Sequence, residues 1–163
     1  MNSLLGIFQR RKVPPDNLLT SRLYSERNFY YAFVNDLRHC NQELIIESPF
    51  VTSSRMAKLL PVLRQLRRRG VKITVNTRDP TEHVFPWSYQ AREAIRELQQ
   101  MGVRVLYAGG HHRKLAVIDK RVLWEGSLNI LSNNGTCEFM RRIESKELAE
   151  EMVWFLGLGR IRW

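Results

Sequence analysis

Two stretches of this chain follow one plan. LLPVLRQLRRRG-VKITV covers residues 59–75, and AREAIRELQQMG-VRVLY covers residues 91–107. In each, apolar residues recur at helical spacing, a glycine (Gly70, Gly102) stands just past the last turn, and a valine opens a strand-like run. Glycine there supplies the left-handed residue that closes a helix and turns the chain back. ELIIES (43–48) reads as an earlier strand ended by Pro49. Helix–Gly–strand units in series behind such a strand are joined by βαβ crossovers, which predicts a largely parallel sheet and an α/β fold. Pro61 lies inside the first of the two helices and is expected to kink it or open its second half.

Around these units the remaining elements fall into place. Phe29, Phe33 and Leu37, with Tyr30 and Val34, mark a helix within residues 26–40. NTRDPTEHVFPW (76–87), with two prolines, reads as an exposed loop. Beyond Leu106 the pattern changes to closely spaced strands at about 112–119, 122–127 and 137–143. A last helix is expected with Ser145 as N-cap, Glu147, Glu150 and Glu151 near its positive end, and Leu148, Met152 and Phe155 on its apolar side. The basic patch Arg10–Arg11–Lys12 and Pro14–Pro15 set residues 1–25 apart as an N-terminal arm, leaving residues 26–163 as one domain.

Composition narrows the classes. The chain has 163 residues, 44% of them hydrophobic, enough for one buried core. No stretch approaches the roughly 20 apolar residues of a membrane span, and the six-residue SLLGIF is too short for a signal peptide, so a soluble, cytoplasmic protein is expected. Cys40 and Cys137 are far apart and suit neither a disulfide framework nor a zinc site. The 26 Lys and Arg against 16 Asp and Glu give a net charge of +10, so a polyanionic partner is expected, either nucleic acid or an anionic membrane surface.

Chemistry concentrates in GGHHRKLAVIDKRVLWEGSLNIL, residues 109–131. Residues two apart on a strand share a face, so His112 and Lys114 point together and Asp119 points away. A two-residue turn at Lys120–Arg121 would set Lys114 across from Ser127 and His112 across from Asn129, gathering imidazole, ammonium, hydroxyl and amide on one face. A three-residue turn would break that match by one residue. Lys, Ser and Asn donate to phosphate oxygens, a neutral histidine can attack phosphorus, and a protonated one can donate to a leaving oxygen.

His112-x-Lys114, four residues to Asp119, then six to Gly126-Ser127-x-Asn129, resembles the HxKx4Dx6GSxN signature of the phospholipase D superfamily. Six residues at fixed spacing arise by chance in on the order of one in a million chains of average composition. The resemblance implies an α/β/α sandwich with a central mixed, largely parallel sheet. Its active site needs two HxK motifs and this chain has one, which implies a homodimer with a composite site on the two-fold axis. One His112 then attacks the phosphodiester, forming a phosphohistidine, while the second copy protonates the leaving oxygen. Lys114 and Asn129 carry the phosphate and Ser127 assists. Glu138 is the best match to the acidic residue that orients the histidine, ahead of Glu125 and Glu144. Asp119 belongs to the motif but faces away, which suits a supporting hydrogen-bond role. His111 is either a substrate-contacting or supporting residue or an exposed neighbour. No metal and no cofactor is implied, in keeping with the lack of a carboxylate cluster suited to Mg²⁺.

Small single-motif members are mostly nucleases, and the charge agrees with a nucleic-acid substrate, DNA ahead of RNA. Arg64, Arg67, Arg68 and Arg69 would flank a groove or form a solvated helix end; Phe85, Trp87 and Tyr89 would stack on unpaired bases or pack in the core. Three alternatives stay open: a phospholipase D or phosphatidyl transferase using the same residues, a non-catalytic nucleic-acid-binding module, and the nuclease-like domain of a larger helicase, to which WEGSLNILS and EFMRR look similar.

Overall fold

A computed structural model describes residues 20–82, 87–132 and 135–158, without the side chain of Trp87. Its strands are β1 (Ser21–Ser25), β2 (Glu43–Glu47), β3 (Lys72–Thr77), β4 (Arg104–Tyr107), β5 (Leu115–Ile118), β6 (Val122–Gly126) and β7 (Phe139–Glu144). Its helices are α1 (Phe29–Arg38), α2 (Ser53–Arg68), α3 (Trp87–Gln100) and α4 (Lys146–Phe155), with a 3₁₀ turn at Pro80–Glu82. The seven strands form one mixed sheet in the order β1-β7-β6-β5-β2-β3-β4.

The two helix–Gly–strand units do build the parallel part, β2-β3-β4. Gly70 (φ +83°) and Gly102 (φ +77°) are left-handed, and Val71 and Val103 donate back to Leu66 and Leu98 at 3.1 and 3.0 Å, closing both helices the same way. Parallel pairing stops there, a correction to the expected emphasis: β5, β6, β7 and β1 all pair antiparallel. For β5 and β6 the physical reason is connection length, since so short a link allows only a hairpin. Residues 21–25, expected in the arm, form the edge strand β1 on β7. Pro61 does not break α2, because Pro61 and Ala57, whose carbonyl loses its donor, are both exposed.

Alternation along the strands supplies both faces. One face carries Leu44, Ile46, Ile73, Val75, Ala116, Trp124 and Met140 and packs against α1, α2 and α3. Phe29 and Phe33 of α1 meet the Trp124 ring edge-on, at centroid distances of 5.2 and 6.1 Å. Burying a ring of this size stabilises by about 2–3 kcal/mol, and its N–H is satisfied by Asp36 at 2.8 Å. Ile45, Leu115, Val117, Leu123 and Ile143 line the other face under Ala149 and Val153 of α4. The expected apolar side of α4 is thus rotated: Leu148 and Met152 flank the contact and Phe155 is 67% exposed. Ser145 caps this helix as expected, its Oγ accepting from Leu148 N at 3.3 Å.

Candidate active site

The motif hairpin has a three-residue turn, not two. Ile118 pairs with Val122 and Leu115 with Glu125, so Lys114 falls opposite Gly126 rather than Ser127. The cause lies in Asp119. Its Oδ1 accepts from the backbone N–H of Gln42 and Glu43 (2.8 and 2.9 Å), and its Oδ2 accepts from Asn41 N–H at 2.8 Å. Drawn to the chain before β2, Asp119 becomes a turn residue, left-handed with Lys120 (both φ +51°), and the turn closes from Arg121 N to Ile118 O at 3.0 Å. The three backbone donors and the Cys40 thiol hold its carboxyl below the ordinary aspartate pKa, against the opposing effect of burial. Asp119 therefore ties the hairpin to β2, at the opposite end of β5 from Lys114.

The ladder ends at Lys114 O, which accepts from Gly126 N at 3.2 Å. The Cβ of any other residue at Gly126 would lie 2.2 Å from the Phe139 carbonyl oxygen. With no side chain there, β7 closes in; Ser127 N donates to Phe139 O (3.0 Å) and Phe139 N donates to Ser127 Oγ (3.2 Å). Ser127 is thus engaged in holding the loop that carries Asn129.

His112 and Lys114 meet despite the shifted register. Lys114 Nζ lies 3.1 Å from His112 Nδ1, 3.5 Å from Nε2 and 2.9 Å from its carbonyl oxygen. Burial lowers the Lys114 pKa; the carboxylate of Glu138 opposes that and the charge of Arg78 adds to it. The charge of Glu138 thus reaches Lys114. Its carboxylate accepts from Thr136 Oγ1 at 2.9 Å, just before β7. Glu138 and Asn129 line one cleft of about 380 Å³ with Tyr30, Arg55 and Ser132. Asn129 is buried and its Oδ1 has no partner there. Tyr30, unremarked as a site residue in the sequence, donates to Ile130 O at 2.8 Å and carries the Arg55 guanidinium 3.4 Å above its ring. Of the other carboxylates weighed, Glu125 lies in β6 opposite Leu115, and Glu144 pairs with Arg142 at 3.1 Å.

His111 is not exposed. It is buried, with Nε2 3.2 Å from Asn76 O and Nδ1 3.5 Å from Glu47 Oε2. Burial pushes its pKa below the ordinary histidine value; the Glu47 carboxylate opposes this, and the charges of Arg113 and Arg78 reinforce it. The buried Glu47 and Asn76 around it were not singled out in the sequence. Their signal was a carboxylate and an amide among the apolar residues of two core strands.

The arginine run divides between loop capping and a solvated helix end. Arg67 donates to Val71 O and Met101 O (2.6 and 3.2 Å), and Arg69 to Arg38 O and Cys40 O (2.8 and 2.7 Å), so both cap loop carbonyls. Arg64 and Arg68 are exposed. The first turn of α2 is tied to the motif loop by Thr52 N to Leu131 O at 2.9 Å. A helix of 16 residues is about 24 Å long, so the arginines lie at the far end from the site. Tyr89 is 63% exposed on α3, while Phe85 and the side chain of Trp87 lie outside the described residues. Cys40 is buried and Cys137 exposed, both free. Among the described residues no group of His, Cys, Asp and Glu is placed to hold a metal ion, and no helix is long and apolar enough to cross a membrane.

Comparison with known proteins finds the same fold. Nuc from Salmonella typhimurium, a phospholipase D family member, superposes with a TM-score of 0.68 at 13% identity, covering 83% of this chain and 90% of that one. NucT from Helicobacter pylori gives 0.64 at 17% identity, covering 83% and 91%. Polyphosphate kinase from Porphyromonas gingivalis gives 0.66 at 12% identity over 90% of this chain and 27% of its own. At these identities the likeness is one of fold. No curated protein matches by sequence. The family model described as cardiolipin synthase, PLD-like domain, matches residues 33–155, from the core of α1 through the motif hairpin to the end of α4. With well over half of its length matched and the fold shared, the chain belongs to the PLD-like domain family of the phospholipase D superfamily.

Proposed function

We propose that this chain is a metal-independent phosphodiesterase, a nuclease that cleaves DNA ahead of RNA at a site shared by two copies. The observation that carries the reading is the His112–Lys114 contact of 3.1 Å, which sets an imidazole beside a cation able to bind phosphate. The carboxylate of Glu138, whose charge acts on Lys114, lines one cleft with the buried Asn129. In the proposed step a ring nitrogen of His112 bonds to phosphorus as the bond to the leaving oxygen breaks. The partner subunit's His112 gives that oxygen a proton. The same group then takes a proton from water, the water oxygen bonds to phosphorus, and the P–N bond breaks. Lys114 and Asn129 hold the phosphate; Glu138 balances the charge of Lys114 and sets the local potential. No step needs a metal or cofactor, so none is proposed.

The net charge of +10 and the likeness to Nuc and NucT support nucleic acid as the polyanion. The matched family description and a likeness to Haemophilus influenzae phosphatidylserine synthase (TM-score 0.59, 14% identity) favour a second reading, phosphatidyl transfer. The test is cleavage of single- and double-stranded DNA and RNA in EDTA, with phosphatidylcholine and phosphatidylglycerol vesicles in parallel arms. The nuclease reading expects nucleic-acid cleavage that survives EDTA and is lost in His112→Ala. Turnover of the vesicles alone would replace it with the lipid reading. A light-scattering mass of one chain under active conditions would overturn the shared site.

A further inference from the structure

The segment that carries His112 belongs to no strand. The β5–β6 ladder stops at Lys114, and residues 111–114 lie outside regular structure, so their direction is set by side chains. One buried group receives them. Glu47, fully buried at the end of β2, accepts from Asn76 Nδ2 at Oε1 (3.0 Å) and from Arg113 Nε at Oε2 (2.8 Å). His111 Nδ1 faces the same Oε2 at 3.5 Å. Asn76 stands opposite Glu47 in the β2–β3 ladder, so the sheet fixes both. Asn76 O also faces His111 Nε2, and Arg78 Nε donates to His111 O at 2.7 Å.

The two chain neighbours of His112 are therefore held at the ends of adjacent strands, Arg113 by the Glu47 carboxylate and His111 by the Asn76 carbonyl. Residues 111 and 113 turn to Asn76 O and Glu47, while residues 112 and 114 meet each other. We propose that Glu47 is a positioning residue: by holding Arg113, next to His112 in the chain, it sets the direction in which His112 leaves the backbone. Packing alone does not call for a charge here, since an apolar side chain of similar volume fills a core at no desolvation cost. A carboxylate does what an apolar residue cannot, which is to fix the Arg113 guanidinium of an irregular segment, and the Asn76 amide beside it, onto a rigid strand. Glu47 touches no reacting atom in this scheme. The proposal rests on the reading of His112 as the attacking group, and a misplacement of about 1 Å at such a group costs about 10²-fold in rate.

The test compares wild type, Glu47→Gln and Arg113→Gln. It uses nuclease kinetics in EDTA and backbone ¹⁵N relaxation, which reads order without activity. Arg113 reaches the clamp from a side chain that is 44% exposed, so its variant keeps the test alive if the buried change prevents folding. The expected result for Glu47→Gln is kcat lower by about 10–100-fold with KM nearly unchanged. Order parameters at residues 111–113 should fall from about 0.85 toward 0.6 while those of β5 hold. Arg113→Gln should show the same pattern at several-fold in kcat. Wild-type kcat, or unchanged order at 111–113, overturns the clamp while leaving the nuclease reading intact. An inert wild type whose Glu47→Gln form loosens at 111–113 supports the clamp and overturns the nuclease reading.

Discussion

Gly126→Ala tests why the motif has a glycine between its aspartate and its serine. The added Cβ would lie 2.2 Å from Phe139 O and 2.9 Å from both Met140 Cα and Met140 Sδ. The first contact is about 1 Å inside a normal carbon–oxygen separation, and the opposing atom is backbone, so β6 and β7 have to part. Overpacking of this kind costs about 1–3 kcal/mol. The two hydrogen bonds between Ser127 and Phe139 sit at the point of separation, and their loss adds about 1 kcal/mol each. The expected destabilisation is thus about 3–5 kcal/mol, or a Tm lower by roughly 6–20 °C for a chain of this length. Gly70→Ala is the control, because it is left-handed (φ +83°) with nothing within 4 Å of the new Cβ, and should cost only about 1–2 kcal/mol. Thermal melts of the two variants, followed by circular dichroism, decide the matter. If Gly126→Ala melts no lower than Gly70→Ala, the close approach of β7 is not what requires glycine.

Asp119→Asn keeps a residue that tolerates the left-handed turn but loses an acceptor for the donors of residues 41–43; urea unfolding should show about 1–3 kcal/mol lost. Because the Asp119 pKa is lowered in the fold, its contribution is present above the ordinary aspartate pKa and lost as pH falls through the folded value. A stability–pH profile in the acid range should therefore be flatter in the variant. His111 acts in a different window. Its pKa is lowered, so below the ordinary histidine pKa the unfolded chain takes a proton that the native chain refuses, and stability falls as pH drops below about 6.5. His111→Gln should remove that slope, and an unchanged slope would show that His111 is charged in the fold.

Much of the architecture was written in local patterns. Gly70 and Gly102 with their following valines announced the parallel half of the sheet, and Phe29, Phe33 and Leu37 announced α1. What escaped was decided by contacts between distant segments. Residues 21–25 have no strong alternation, and only the exposed edge of β7 makes them a strand. The turn length of the hairpin depended on backbone donors 76 to 78 residues away from Asp119. At the site, His112 and Lys114 meet although residues 112–114, expected in a strand, lie outside one, so side-chain contacts and not strand alternation set their approach. The buried partners of His111 escaped as well, because no local pattern shows that Glu47 and Asn76 face each other across parallel strands.

The central claim is that His112 bonds to the phosphate it cleaves. The direct measurement is to quench wild type and His112→Ala in EDTA, under denaturing conditions, during turnover of single-stranded DNA labelled on the phosphate side of the cut. The account predicts labelled wild-type protein, its label stable in alkali and lost in acid as a phosphohistidine requires, and no label on His112→Ala. Cleavage by His112→Ala at the wild-type rate, or label retained on that variant, would contradict it.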